Sequence, residues 1–178
     1  MAFYFWYDIF MKIRKFLWEL LKTVIESLII VFILIKFILL PCMVQGSSMY
    51  PYLHEGDYGF SFIITRQFHI HRFDVAVIDV QSDESKLLVK RVIGLPGEKI
   101  AFVDNKLYVN DEYVEEPFLT EKTTTNDFEI TLGDDEYFCM GDNRSVSRDS
   151  RYYGPFTKEK ILSTHLFVIY PFRDLGMH

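Results

Sequence analysis

Leu87-Leu88-Val89-Lys90-Arg91-Val92-Ile93-Gly94-Leu95-Pro96-Gly97-Glu98 decides what kind of fold the chain can adopt. Its aliphatic and β-branched residues, closed by Pro-Gly of type II turn composition, specify a strand rather than a helix. Side chains alternate along a strand, so Lys90 shares a face with Leu88 and Val92, while Arg91 shares the other with Val89 and Ile93. Short apolar runs bounded by turn residues recur at Tyr58–Ile64, Phe73–Val80, Lys99–Val103, Phe128–Leu132, Tyr137–Met140 and Leu162–Tyr170. Asp104-Asn105 and Asn110-Asp111 flank Lys106–Val109 and predict consecutive hairpins. The expected fold class is mostly β with an antiparallel sheet, and the polar run Glu115–Asn126 is expected to be an exposed loop without chemistry.

Upstream the pattern changes. Residues 1–22 form a short N-terminal segment whose Phe3-Tyr4-Phe5-Trp6-Tyr7 suits a membrane interface or an amphipathic surface helix. Residues 23–41 read as one transmembrane helix, since roughly 20 residues cross the hydrocarbon core and Lys36 can snorkel its ammonium outward. Leu39-Leu40-Pro41-Cys42-Met43 offers no small-x-small cleavage site, so the segment is expected to remain as an anchor. Lys12, Arg14 and Lys15 precede it, which predicts a cytoplasmic N-terminus and a single extracytoplasmic domain, residues 42–178, at the cell membrane.

The formal net charge of -6 divides unevenly. Residues 1–41 are net basic, leaving 42–178 acidic and without the basic footprint of a nucleic-acid binder. Cys42 and Cys139 lie far apart with no metal-type spacing, so two unpaired thiols are expected. His69-Ile70-His71 places two imidazoles on one strand face, but no further ligand completes a set; neither a metal nor a cofactor is expected.

Gly46-Ser47-Ser48-Met49-Tyr50-Pro51, just past the apolar segment, invites a nucleophile hypothesis. Serine needs a base to take its proton, and the stretch lacks the second glycine of a G-x-S-x-G elbow. Lys90 is the candidate base: on a buried strand face desolvation favours the neutral amine, although on the strand alone a lysine at a sheet rim more often snorkels to water. Gly141-Asp142-Asn143-Arg144-Ser145-Val146-Ser147-Arg148-Asp149-Ser150-Arg151 is either a solvated loop or a brace whose paired Asp and Arg side chains hold a site together.

These three segments, in this order, resemble the type I signal peptidases, membrane-anchored Ser/Lys endopeptidases, and the chain is most similar to their single-anchor Gram-positive branch. Ser48-Met49-Tyr50-Pro51 is similar to the nucleophile motif, Lys90 to Gly97 to the lysine motif, and Gly141 to Arg151 to the third motif, with Arg72–Val77 resembling a fourth segment. The resemblance implies a peptidase domain of the signal peptidase type that removes signal peptides from exported precursors at membrane lipid, cutting after a small residue of an A-x-A site. It implies Ser48 as nucleophile, Lys90 as general base and Ser147 as a hydrogen-bond partner of the lysine. Asp142 with Arg91, and Asp149 with Arg151, are implied as supporting pairs, and Val44, Met49, Leu53, Leu88 and Val89 as pocket residues.

Four positions depart from or divide the family pattern: Gly46 in place of a second oxyanion donor, Ser47 for proline or glycine, Tyr52 for threonine and Glu98 for aspartate. Two rival readings are a non-catalytic chaperone or scaffold in surface-protein assembly and a self-cleaving repressor-type Ser/Lys protease. The anchor and the acidic domain oppose the second.

Overall fold

The computed structural model describes residues 2–63, 65, 69–80, 87–119, 124–171 and 176–177. Ile64, at the end of one expected strand, residues 120–123 of the expected loop, and His178 lie outside the described residues. The chain divides into two compact units, Met1–Leu39 and Leu40–His178.

The first unit is one continuous helix, Ala2–Phe37 (α1), of 36 residues. Leu28 to Ile35 and Phe37 are large apolar residues exposed all round it. No helix among the described residues is long and apolar enough to cross a membrane, so the expected span at 23–41 is not shown. The reason lies in two places. The helix stops at Phe37 and the chain is already extended at Leu39, and Lys22, Glu26 and Lys36 interrupt the apolar run that remains. Lys22 and Glu26 face each other one turn apart, Nζ to Oε1 3.9 Å.

The second unit is built from two antiparallel sheets. The strands are Leu39–Met43 (β1), Tyr58–Phe62 (β2), Val75–Asp79 (β3), Leu87–Gly94 (β4), Lys99–Val103 (β5), Lys106–Val109 (β6), Glu112–Val114 (β7), Phe128–Thr131 (β8), Glu136–Met140 (β9), Phe156–Thr157 (β10), Ile161–Tyr170 (β11) and Gly176–Met177 (β12). The larger sheet runs β1-β2-β11-β3-β4-β9-β10 with β12 on β11, and the smaller runs β7-β6-β5-β8. The expected strands are present with ends shifted by a residue or two, whereas β1, β7, β10 and β12 are additions. Each addition is short, or contains a proline as β1 does, so its own sequence pattern is weak.

Asp104 and Asn105, then Asn110 and Asp111, all have positive φ, as type I′ turns require of both central residues. Gly97 has φ +76 in the turn that closes β4, and Glu98 N donates to the Leu95 carbonyl at 3.2 Å. Glu98 also accepts from Leu95 N and pairs with both terminal nitrogens of Arg72. The longer side chain at this departure position thus ties the turn to the segment before β3.

Packing follows the alternation read from β4. Leu88 and Val92 pack with Ala76, Ile78 and Cys139, whereas Val89 packs with Val44, Met49, Leu53, Val75 and Val77. A third apolar cluster, containing Ile93, Ile100, Phe102, Phe138 and Met140, joins the two sheets. Both cysteines are buried and unpaired with each other.

Candidate active site

β4 lies between β3 and β9, but its two neighbours cover different lengths. β3 pairs with Leu87 through Arg91, while β9 pairs only from Arg91 to Gly94. Among the described residues, Leu88, Val89 and Lys90 therefore have no strand partner on the β9 side. Beyond Met140 the chain leaves the sheet as the loop Gly141–Asp149, whose Asn143 N donates to the Ser48 carbonyl at 3.0 Å. That bond joins the segment Gly141–Arg151 to the segment that holds Ser48.

Ser48 begins the turn that follows β1, and Met49 beneath it is 1% exposed. Lys90 Nζ lies 2.7 Å from Ser48 Oγ and 3.0 Å from the Val89 carbonyl oxygen. Lys90 is 3% exposed. Burial lowers its pKa, against the opposing pull of the Asp149 and Asp142 carboxylates, from 10.5 to about 8. A lysine at this pKa holds a sizeable neutral fraction near neutrality and can accept a proton, as its place on the strand predicts. The rim alternative, with the amine in water, is not adopted.

The supporting pairs are formed. Arg91 Nε and Nη2 donate to the two oxygens of Asp142 at 2.9 and 2.7 Å, with both side chains buried. Arg151 Nε and Nη2 donate to Asp149 at 2.9 and 2.8 Å. Burial pushes the Asp149 carboxyl up, but the bonds from Arg151 and from Gly141 N outweigh it and hold it below the usual carboxylate range. Arg151 also donates to the Arg144 carbonyl at 2.7 Å, which closes the loop on itself.

Two side chains stand elsewhere than expected. No hydrogen bond joins Ser147 to Lys90 among the described residues: the Ser147 Oγ is buried, and its hydroxyl helps to hold the Asp149 carboxyl down. It packs instead over Gly141, where any Cβ would collide with Ser147 Oγ and the Ser48 carbonyl oxygen. Leu53 is wholly buried in the cluster beneath the Ser48 turn and is not among the residues that line the groove. Val44, Met49, Leu88 and Val89 do line a groove of about 670 Å³ together with Ser48 and Lys90. Its walls are residues 41–49 on one side and 87–90 on the other, with Val146 and Arg148 also lining it.

The sequence reading missed several contributors. Cys42 lines the groove, with its thiol pushed up to about 11 by burial, so it is a wall and no nucleophile. Glu116, placed in the loop that was expected to be exposed, forms a buried ion pair with Arg144, and Phe118 lies against Arg91. The only signal was the apolar triplet Pro117-Phe118-Leu119 inside an otherwise polar run. Gly46 has φ +75 and nothing within 4 Å of the place a Cβ would take. Glycine is there for its left-handed conformation, which a serine adopts only with strain.

A family model described as "Signal peptidase, peptidase S26" matches residues 17–170. The chain is 35% identical over 174 residues to signal peptidase I S of Bacillus subtilis strain 168, covering 91% of this chain and 94% of that one. It is 38% identical over 150 residues to signal peptidase I U of the same strain, covering 76% and 78%. A crystal structure of a signal peptidase I from Enterococcus faecalis V583 superposes with a TM-score of 0.50 at 30% identity, over 55% of this chain and 97% of that one. With matches of this length joined to a mostly antiparallel β fold that brings three separated segments to one groove, the chain belongs to the signal peptidase, peptidase S26, family.

Proposed function

We propose that this chain is a membrane-anchored serine endopeptidase that removes signal peptides from exported precursors, with Ser48 as nucleophile and Lys90 as general base. The observation that carries the proposal is the 2.7 Å separation of Ser48 Oγ and Lys90 Nζ inside a site where the lysine is 3% exposed. In this mechanism neutral Lys90 takes the Ser48 proton as Oγ attacks the scissile carbonyl, and the ammonium then protonates the departing amine. The Ser48 backbone N–H faces the developing oxyanion. Water, activated by the same amine, hydrolyses the acyl-enzyme.

Substrate enters as an extended strand. The unpartnered stretch Leu88–Lys90 and the facing residues 41–45 offer backbone edges on both sides of the groove, a mode in which main-chain bonds give affinity and pockets give selectivity. Val44, Met49, Leu88 and Val89 leave room for small side chains next to the cut, which accounts for an A-x-A preference. The apolar turns of α1 engage the bilayer, with the Lys22–Glu26 pair and Lys36 reaching its interfaces, the N-terminus cytoplasmic and the domain outside.

The test is cleavage of a precursor in detergent by wild type, Ser48→Ala and Lys90→Ala. The proposal expects cleavage after a small residue by wild type and none by either folded variant. Turnover by Ser48→Ala removes the nucleophile assignment, and efficient cutting after Leu or Phe removes the pocket assignment. Wild type inert on every precursor while still binding it favours the chaperone or scaffold reading.

A further inference from the structure

Arg91 sits in an arrangement that the Ser/Lys chemistry does not use. Its guanidinium carbon lies 4.3 Å from the centroid of the Tyr52 ring and 4.2 Å from that of Phe118, so the cation is layered between two aromatic rings. Its edges are filled as well. Nε and Nη2 donate to Asp142, and Nη1 donates to the Phe73 carbonyl at 2.9 Å. The residue is 4% exposed, and attraction between a cation and a ring is strongest when the cation is desolvated.

The two rings come from parts of the chain far apart in sequence. Tyr52 lies four residues past Ser48, in the same turn. Phe118 comes from the loop after β7 and is itself held edge-on by Phe73, centroids 5.0 Å apart. Arg91 directly follows Lys90, and Asp142 opens the loop that reaches the Ser48 carbonyl through Asn143. One cation therefore ties the nucleophile turn, the lysine strand and the third segment together. Threonine, the residue that the family resemblance led us to expect at Tyr52, has no ring with which to form the upper layer.

We infer that Tyr52 and Phe118 are positioning residues that clamp Arg91 and thereby hold the Ser48 turn against the Lys90 strand. The inference rests on the Ser/Lys reading above. It makes Tyr52 a local replacement for whatever braces the turn in relatives with a smaller residue, and it is carried by the ring.

The experiment is steady-state cleavage of a precursor in detergent by the full chain as wild type, Tyr52→Phe, Tyr52→Leu, Phe118→Leu and the double leucine variant. The folded fraction of each is read from a thermal melt. Tyr52→Phe should stay within about twofold of wild type, because the layer persists. Tyr52→Leu should lower kcat on the order of 100-fold with KM unchanged, the loss that a misplacement of about 1 Å brings. The pH midpoint should stay near 8, because Lys90 remains buried. The double variant should fall no further than the weaker single, since both rings act through one cation.

Wild-type kcat in Tyr52→Leu overturns the clamp. So does a loss wholly matched by the unfolded fraction, a rise in KM alone, or additive losses in the double variant. If wild type cleaves nothing, or Ser48→Ala still cleaves, the Ser/Lys reading has failed and the clamp falls with it; if those controls behave and only Tyr52→Leu disagrees, the clamp alone is wrong.

Discussion

Lys90, the proposed general base, is buried at a cost to stability. Its pKa is about 8 in the folded chain against 10.5 for a solvated lysine, so catalysis by the neutral amine should rise with pH and level off above about 8. A pH profile of kcat/KM on a precursor checks this, and an inflection near 6.5 would point to a histidine base instead. The same shift has a stability consequence. Between 8 and 10.5 the unfolded state holds more protons than the folded one, so stability rises with pH across that window, and below it the burial penalty is present in full. Lys90→Met should therefore be inactive yet more stable at pH 7, by up to about 3 kcal/mol at 1.36 kcal/mol per pH unit, measured by urea unfolding. Gly141 is the other residue under tight constraint. A methyl group there meets the Ser48 carbonyl oxygen and Ser147 Oγ, so Gly141→Ala should lower kcat on the order of 100-fold by moving the nucleophile turn about 1 Å. Wild-type turnover would show that the turn yields without harm.

Among the elements, the loop after β7 departs most from its sequence-level description. It reads as polar and exposed, yet it sends Glu116 to Arg144 and Phe118 to Arg91, thereby touching two of the three segments that build the groove. Arg144 and Glu116 have side chains 1% and 7% exposed, and Arg144 Nε further donates to the Gly141 carbonyl at 3.1 Å. Removing one partner of such a pair leaves the other charge buried. Glu116→Ala should cost about 3–5 kcal/mol, against the 0–1 kcal/mol of a surface pair. Chemical denaturation distinguishes the two, and a cost below 1 kcal/mol would return this loop to the surface. The unequal coverage of β4 is an element-level feature too. Because β9 begins pairing at Arg91, the strand ends in a bare edge at the point where the lysine stands.

Over the whole molecule the two compact units divide the work. Leu40–His178 contains all three apolar clusters, so a chain lacking residues 1–38 should fold and cleave a short soluble peptide with kcat/KM within about tenfold of the full chain. It should process a membrane-embedded precursor far more slowly, because it has lost the proximity that a shared bilayer confers. Comparing the two substrates in liposomes measures this. Equal rates on the embedded precursor would remove the membrane role assigned to α1.

The strands were legible because a half-buried strand repeats every two residues, and the β4 segment shows that period with a turn at its end. The type I′ turns at Asp104-Asn105 and Asn110-Asp111 were legible because few residues tolerate positive φ. The grouping of Ser48, Lys90 and the Gly141–Arg151 loop was legible only through resemblance, since the strand by itself favoured a snorkelling Lys90. What the sequence could not settle was decided by distances between segments far apart in the chain. Whether Lys90 is buried depends on Ser48 and the loop after β9 closing over it. Whether Leu53 lines the groove or lies beneath it depends on packing under the turn, and Ser147 faces Gly141 rather than the amine. The end of α1 at Phe37 is likewise tertiary, because Leu39 onward leaves helical geometry to become the edge strand of a sheet. Local composition therefore determined which residues are strands and turns, and the tertiary fold decided which side chains lose water and which polar atoms meet.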